Sequence, residues 1–139
     1  MDIRRGVSGF IDSLRYIATE TLGEAKGVIG MEKIQKFAPE YLEKVKTILD
    51  SDHRSSNCHG TAAFLVGLIG NPRGVESGEL ADMLNGIQPN STPLPNSLIL
   101  GRTKGQDIAH SGIFIQTKDG DFILHKRGYD LPIEMVPFN

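Results

Sequence analysis

Cys58 is the only cysteine in the 139-residue chain, and it stands in Asn57-Cys58-His59-Gly60 between a polar run and the almost continuously apolar stretch 61–70. One thiol excludes an internal disulfide, a four-cysteine zinc site and an iron–sulfur cluster within one chain. Two uses remain for it, a small buried core residue or a nucleophile. A cysteine with a pKa of about 8.5 is only a few per cent thiolate at neutral pH, so a nucleophile gains from an imidazole and from a helix N-terminus. Two of the four histidines lie in extended runs. His110 opens His110-Ser111-Gly112-Ile113-Phe114, where a strand would hold its ring rigidly, and His125 lies in Asp121-Phe122-Ile123-Leu124-His125. In that order, Cys58 is the candidate nucleophile, His110 the candidate base and then acid, and His125 the candidate orienter of His110. Asp119, Asp121 and Asp130 are the alternatives to His125. His53 and His59 are read as solvated or hydrogen-bonded imidazoles without a catalytic role. Although His53, Cys58, His59 and His110 are all zinc-ligand types, their spacing matches no metal motif, so neither a metal nor another cofactor is expected.

These side chains need a helix and a sheet to hold them. Asp50, Ser51, Asp52, Ser55, Ser56 and Asn57 end in helix-capping residue types, and the apolar run behind Cys58 predicts a buried helix starting near the thiol. There the unpaired N–H groups and the dipole favour an anion, which predicts a lowered thiol pKa. Upstream, Ile3, Val7, Phe10, Ile11, Leu14 and Ile17 predict a helix from Ile3 to about Leu22. Met31, Ile34 and Phe37, then Tyr41, Leu42, Val45, Ile48 and Leu49, predict a second helical stretch with a corner at Pro39. Gly70, Asn71, Pro72 and Gly74 stop the Cys58 helix, and a short helix is expected between Glu76 and Leu84.

After the Pro- and Asn-rich stretch 85–96 the periodicity becomes extended. Ser97 to Gly101, Ile108 to Gln116, Asp121 to Arg127 and Pro132 to Phe138 predict an antiparallel meander with a hairpin at Lys118-Asp119-Gly120. With the turn centred between Asp119 and Gly120, His125 would face Phe114. The two imidazoles would then share a face but stand four positions apart, roughly 13 Å, too far for a direct hydrogen bond without a bulge or a longer loop, and sequence alone does not fix this register. The expected fold class is α+β in a single domain over 1–139, with a helical part over 1–50 and the core over 51–139.

Composition narrows the partners. Hydrophobic residues at 39%, charged residues at 23% and a net charge of −2 describe a soluble globular chain, without the basic surface of a nucleic-acid clamp. About 18 successive uncharged apolar residues, the length of a membrane span, occur nowhere. Arg4, Arg5, Asp12, Arg15 and Glu20 interrupt the N-terminal apolar residues, unlike a secretory signal, so a cytoplasmic location is expected, with signal-free export left open.

The order of cysteine at a helix start, histidine opening a strand and histidine in the next strand resembles the NlpC/P60 group of papain-like cysteine peptidases and amidases. The likeness runs from about Asn57 to Val136. Asn57-Cys58-His59-Gly60 resembles the family's Asp-Cys-Ser-Gly, His110-Ser111-Gly112-Ile113-Phe114 its His-Val-Gly-Ile-Tyr, and Leu124-His125 the element carrying its third polar residue. The sequence departs at Asn57 and His59, and a Tyr-x-x-Gly-Gly segment upstream of Cys58 is missing. The resemblance implies a papain-like core and hydrolysis of a peptide or isopeptide amide through an acyl-enzyme on Cys58. It further implies Asn57 and His59 as neighbours of the oxyanion site and a protein or cell-wall peptide as substrate. The helices before Asp50 and the loop from Asn71 to Asn96 are candidates for covering the cleft. Two rivals are a transglutaminase-like acyl transferase and a non-catalytic binding or regulatory module on the same fold, the latter with an ordinary, slow thiol.

Overall fold

In the computed structural model, residues 3–5, 27–102 and 107–138 are described. Met31, Ile34 and Phe37 fall on one side of helix α1 (Met31–Phe37), which ends at Ala38, and Pro39 opens a 3-10 turn (Pro39–Tyr41) leading into α2 (Leu42–Asp50). Proline suits that first turn because its missing N–H has no intrahelical acceptor there. The expected corner at Pro39 is therefore present. Ile34, Val45 and Ile48 are fully buried.

The apolar run behind Cys58 forms α3 (Cys58–Leu65), buried from His59 through Leu65, and Ser77 to Met83 form α4 (Ser77–Met83). Both helices fall where expected. A Cβ at Gly60 would overlap the carbonyl oxygen of Arg73, so the first turn of α3 needs glycine to let the Arg73 backbone pass.

Among the described residues the sheet has six strands: β1 (Ile3–Arg5), β2 (Val28–Ile29), β3 (Leu98–Arg102), β4 (Ile108–Thr117), β5 (Gly120–Lys126) and β6 (Ile133–Pro137), in spatial order β1-β3-β4-β5-β6-β2. Strands β3 to β6 are the predicted antiparallel meander, and the chain is α+β. The two edges were not anticipated. β1 joins β3 in parallel, Ile3 opposite Leu98, and β2 joins β6 in parallel, Val28 opposite Ile133. Ile3, Arg4 and Arg5 are thus strand where the periodicity predicts helix, because backbone pairing with Leu98 to Leu100 offers them a ladder that sequence spacing does not reveal. The rest of that predicted helix lies outside the described residues.

Alternation divides the meander between two faces. Leu98, Leu100, Ile113, Ile115, Leu124 and Met135 share a core with Ile34, Val45, Ile48, Ala62, Phe64 and Leu65 of the helices. Ile99, Phe114, Ile123 and Val136 form a second cluster on the other face. With both faces buried, these strands read as continuous apolar runs rather than as strict alternation.

Thr117 pairs with Gly120, so the hairpin is centred between Lys118 and Asp119, one residue earlier than predicted. Thr117 holds this turn by accepting from the Asp119 N–H at 3.0 Å and donating to the Gly120 carbonyl at 2.8 Å, while Gly120 takes φ 130°, a conformation that favours glycine. Moving the centre by one residue moves every cross-strand partner by two and leaves each side chain on its face.

Candidate active site

The start of α3 is built by Asn57. Its Oδ1 accepts from the Gly60 N–H at 2.9 Å, the cap predicted by residue type, and also from the Val75 N–H at 3.0 Å, while its Nδ2 donates to the Val75 carbonyl at 2.8 Å. An aspartate would cap the helix as well but has no N–H to give Val75, a physical reason for asparagine at this position. Ser56 is fully buried and shares a 2.8 Å hydrogen bond with Thr61 across the first turn.

Lys126, fully buried at the end of β5, donates at 2.7, 2.7 and 2.6 Å to the carbonyls of Ser56, Gly128 and Tyr129. These acceptors use all three of its protons and tie the residue two before Cys58 to the sheet. Burial lowers the Lys126 pKa to about 8, while the neighbouring Asp130, Asp52 and Cys58 act in the opposite sense.

Cys58 itself is partly buried. Burial pushes its thiol pKa up, against the lowering effects of N–H groups at His59, Ser111 and Cys58 and of the Lys126 charge. The predicted lowering is thus overturned: desolvation of the thiolate outweighs the helix start. The sulfur lies 3.7 Å from His59 Nδ1. His59 is a buried, hydrogen-bonded imidazole, with Nδ1 at 2.7 Å from Ser111 Oγ and Nε2 at 3.1 Å from the Ile108 carbonyl and 3.2 Å from Ser77 Oγ. A carbonyl only accepts, so Nε2 carries the proton and Nδ1 presents its lone pair to the Ser111 hydroxyl and the thiol. His53 lies in the 3-10 turn His53–Ser55, and burial lowers its pKa.

In the corrected register the histidines are two positions apart rather than four. The β4–β5 ladder runs from Thr117 opposite Gly120 to Ile113 opposite Leu124; continuing it places Gly112 opposite His125, with His110 on the next diagonal. Gly112 keeps that diagonal open, since a Cβ there would stand 2.7 Å from Ile123 Cγ2 and 3.0 Å from His125 Cβ. His110 Nε2 and His125 Nδ1 are 2.7 Å apart, with the rings edge to face. The four-position offset expected for the later turn centre is corrected, and the two rings meet directly.

The row continues into β6, where Glu134 lies directly opposite His125. His125 Nε2 is 3.0 Å from Glu134 Oε1, and both side chains are almost wholly buried. Burial lowers the pKa of His125 and raises that of Glu134 to about 7, so His125 enters the contact as a neutral imidazole. Burial and the neighbouring His125, His59 and Arg127 also lower the pKa of His110. Among the described residues, Asp119, Asp121 and Asp130 make no hydrogen bond to His110.

The structure therefore brings His110 and His125 together, and Cys58 to His59 and the Ser111 N–H, beside His110 in sequence. Among the described residues no hydrogen bond joins Cys58 to His110. Glu134, Ser111 and Lys126 escaped the sequence reading. Glu134 left one signal, a carboxylate interrupting the apolar strand Ile133-Glu134-Met135-Val136. Nearby, Leu84, Ile87, Pro89, Leu100, Arg102 and Ile108 line a cavity of about 180 Å³, with the first three from the α4 end and the loop expected to cover the cleft.

Among the described residues no group of three or more His, Cys, Asp or Glu side chains is placed to hold a metal ion, and no helix is long and apolar enough to cross a membrane. Comparison with family models, curated proteins and solved structures finds no significant match for this chain.

Proposed function

We propose that this chain is a cysteine hydrolase of the NlpC/P60 kind, with a papain-like core, cleaving a peptide or isopeptide amide through a thioester on Cys58. The observation that carries the reading is the 2.7 Å bond between His110 and His125 beside Ser111, whose N–H favours the Cys58 thiolate. Because burial opposes charge on both Cys58 and His110, the resting pair is a neutral thiol and a neutral imidazole. His110 takes the thiol proton as the sulfur attacks the amide carbon. The Cys58 N–H at the helix start helps stabilise the oxyanion. Collapse breaks the C–N bond, and His110 returns the proton to the leaving amine. Water then attacks the thioester with His110 again as base, releasing the acid and restoring the thiol.

The test is the rate of Cys58 alkylation against pH in wild type, His110→Ala and His59→Gln. A fall of about tenfold or more at neutral pH in His110→Ala, with a smaller change in His59→Gln, is expected for general-base assistance by His110. Equal rates in wild type and His110→Ala would overturn the pairing. With an amide substrate in hand, Cys58→Ala loses at least about a hundredfold in turnover.

A second reading, a non-catalytic binding module, is favoured by the upward push of burial on the thiol. It predicts slow alkylation that neither histidine substitution changes.

A further inference from the structure

The row His110, His125 and Glu134 contains one group that the proposed chemistry does not yet use. Each member comes from a different strand of the antiparallel set, β4, β5 and β6, and the contacts run Nε2 to Nδ1 at 2.7 Å and Nε2 to Oε1 at 3.0 Å. An imidazole that donates from one ring nitrogen accepts at the other, so the protons of this row are coupled end to end.

We propose that Glu134 is the positioning residue of the row: its carboxylate accepts from His125 Nε2, His125 Nδ1 then accepts from His110 Nε2, and the lone pair of His110 is thereby held on Nδ1. This inference rests on the hydrolase reading, in which that lone pair takes the proton of Cys58. Glu134 acts through two rings and touches no reacting atom.

Three features support the assignment. Cross-strand pairing puts Glu134 directly opposite His125, so the contact follows from the register. Both side chains are at most 2% exposed, which removes water as a competing partner. The opposite sense, a protonated carboxyl donating to His125, reverses both rings and places a proton on His110 Nδ1, where it can no longer act as the base. Among the described residues Glu134 Oε2 is buried without a hydrogen-bond partner, so the contact of the carboxyl with the row runs through Oε1.

Nitrogen-15 NMR of histidine-labelled protein reads the tautomers without any substrate. At pH 8, above the raised Glu134 pKa of about 7, wild type is expected to carry its proton on Nε2 of both His110 and His125. Glu134→Gln keeps the volume, removes the charge and offers an N–H to His125, so both rings should shift towards the Nδ1-protonated form, and alkylation of Cys58 should slow about tenfold. A wild-type His110 protonated on Nδ1, or unchanged tautomers in Glu134→Gln, would overturn the role of Glu134. The wild-type spectrum decides the matter even if the variant does not fold. Shifted tautomers with an unchanged alkylation rate would support Glu134 and count instead against the pairing of Cys58 with His110.

Discussion

Around the start of α3 the side chains are held largely by backbone: Asn57 by Gly60 and Val75, Lys126 by three carbonyls, and His59 Nε2 by the Ile108 carbonyl. In the sheet, His110, His125 and Glu134 meet side chain to side chain across three strands. Backbone donors and acceptors have fixed roles, so these anchors of the first region have one hydrogen-bond pattern. The second has two, because imidazoles and a carboxyl exchange roles when a proton moves. Position at the thiol is therefore set by anchoring, and basicity in the row by protonation.

The largest effect that separates the regions is expected from Lys126→Met. It fills similar volume but strips the Ser56 and Tyr129 carbonyls of this donor and leaves the Gly128 carbonyl only the Leu131 N–H at 3.3 Å, for a loss of about 3 kcal/mol at about 1–3 kcal/mol per unsatisfied buried group. Urea unfolding measures it, and the two-ring tautomer pattern should survive. A loss under about 1 kcal/mol would show that the anchor is dispensable.

Acid should act on the sheet row instead. The folded pKa values of His110 and His125 are lowered, so their contribution is fully present above the unfolded value of 6.5 and is lost as pH falls towards the folded values. Glu134 has the opposite sign: with its pKa raised from 4.5 to about 7, its contribution is present below 4.5 and lost as pH rises through about 7. Between pH 7 and pH 5 protonation of Glu134 therefore offsets the cost of the histidines. Removing that offset with Glu134→Gln should deepen the acid loss of stability by about 2 kcal/mol, from 1.36 kcal/mol per pKa unit. Denaturant midpoints at the two pH values check this, and parallel losses in both proteins would contradict it.

The smallest effect is expected at the cap. Asn57→Asp retains an acceptor for Gly60 but loses the donor to the Val75 carbonyl, for about 1 kcal/mol. An unchanged melting temperature would mean that Val75 finds another partner.

Much of the first region was legible before folding. A polar run ending in Asn57, an apolar run behind Cys58 and the corner at Pro39 are local signals, and the structure carries all three. The strands of the meander were legible too, through β-branched runs and turn residues. His125 was legible as the candidate orienter of His110, but the register that joins them and Glu134 behind them were not. The contact depends on whether the hairpin centre lies before or after Asp119, a one-residue difference that converts a four-position offset into two.

The sequence alone determined the α+β class, the antiparallel order of the four long strands and a capped helix beginning at a lone cysteine, because capping, periodicity and turn chemistry act over a few residues. Tertiary structure decided the rest: the parallel edge strands, the upward pull of burial on the Cys58 thiol, the three carbonyls around Lys126 and the alignment of Glu134 with His125 and His110. Each of these depends on segments far apart in the chain, and register and desolvation exist only once those segments have packed.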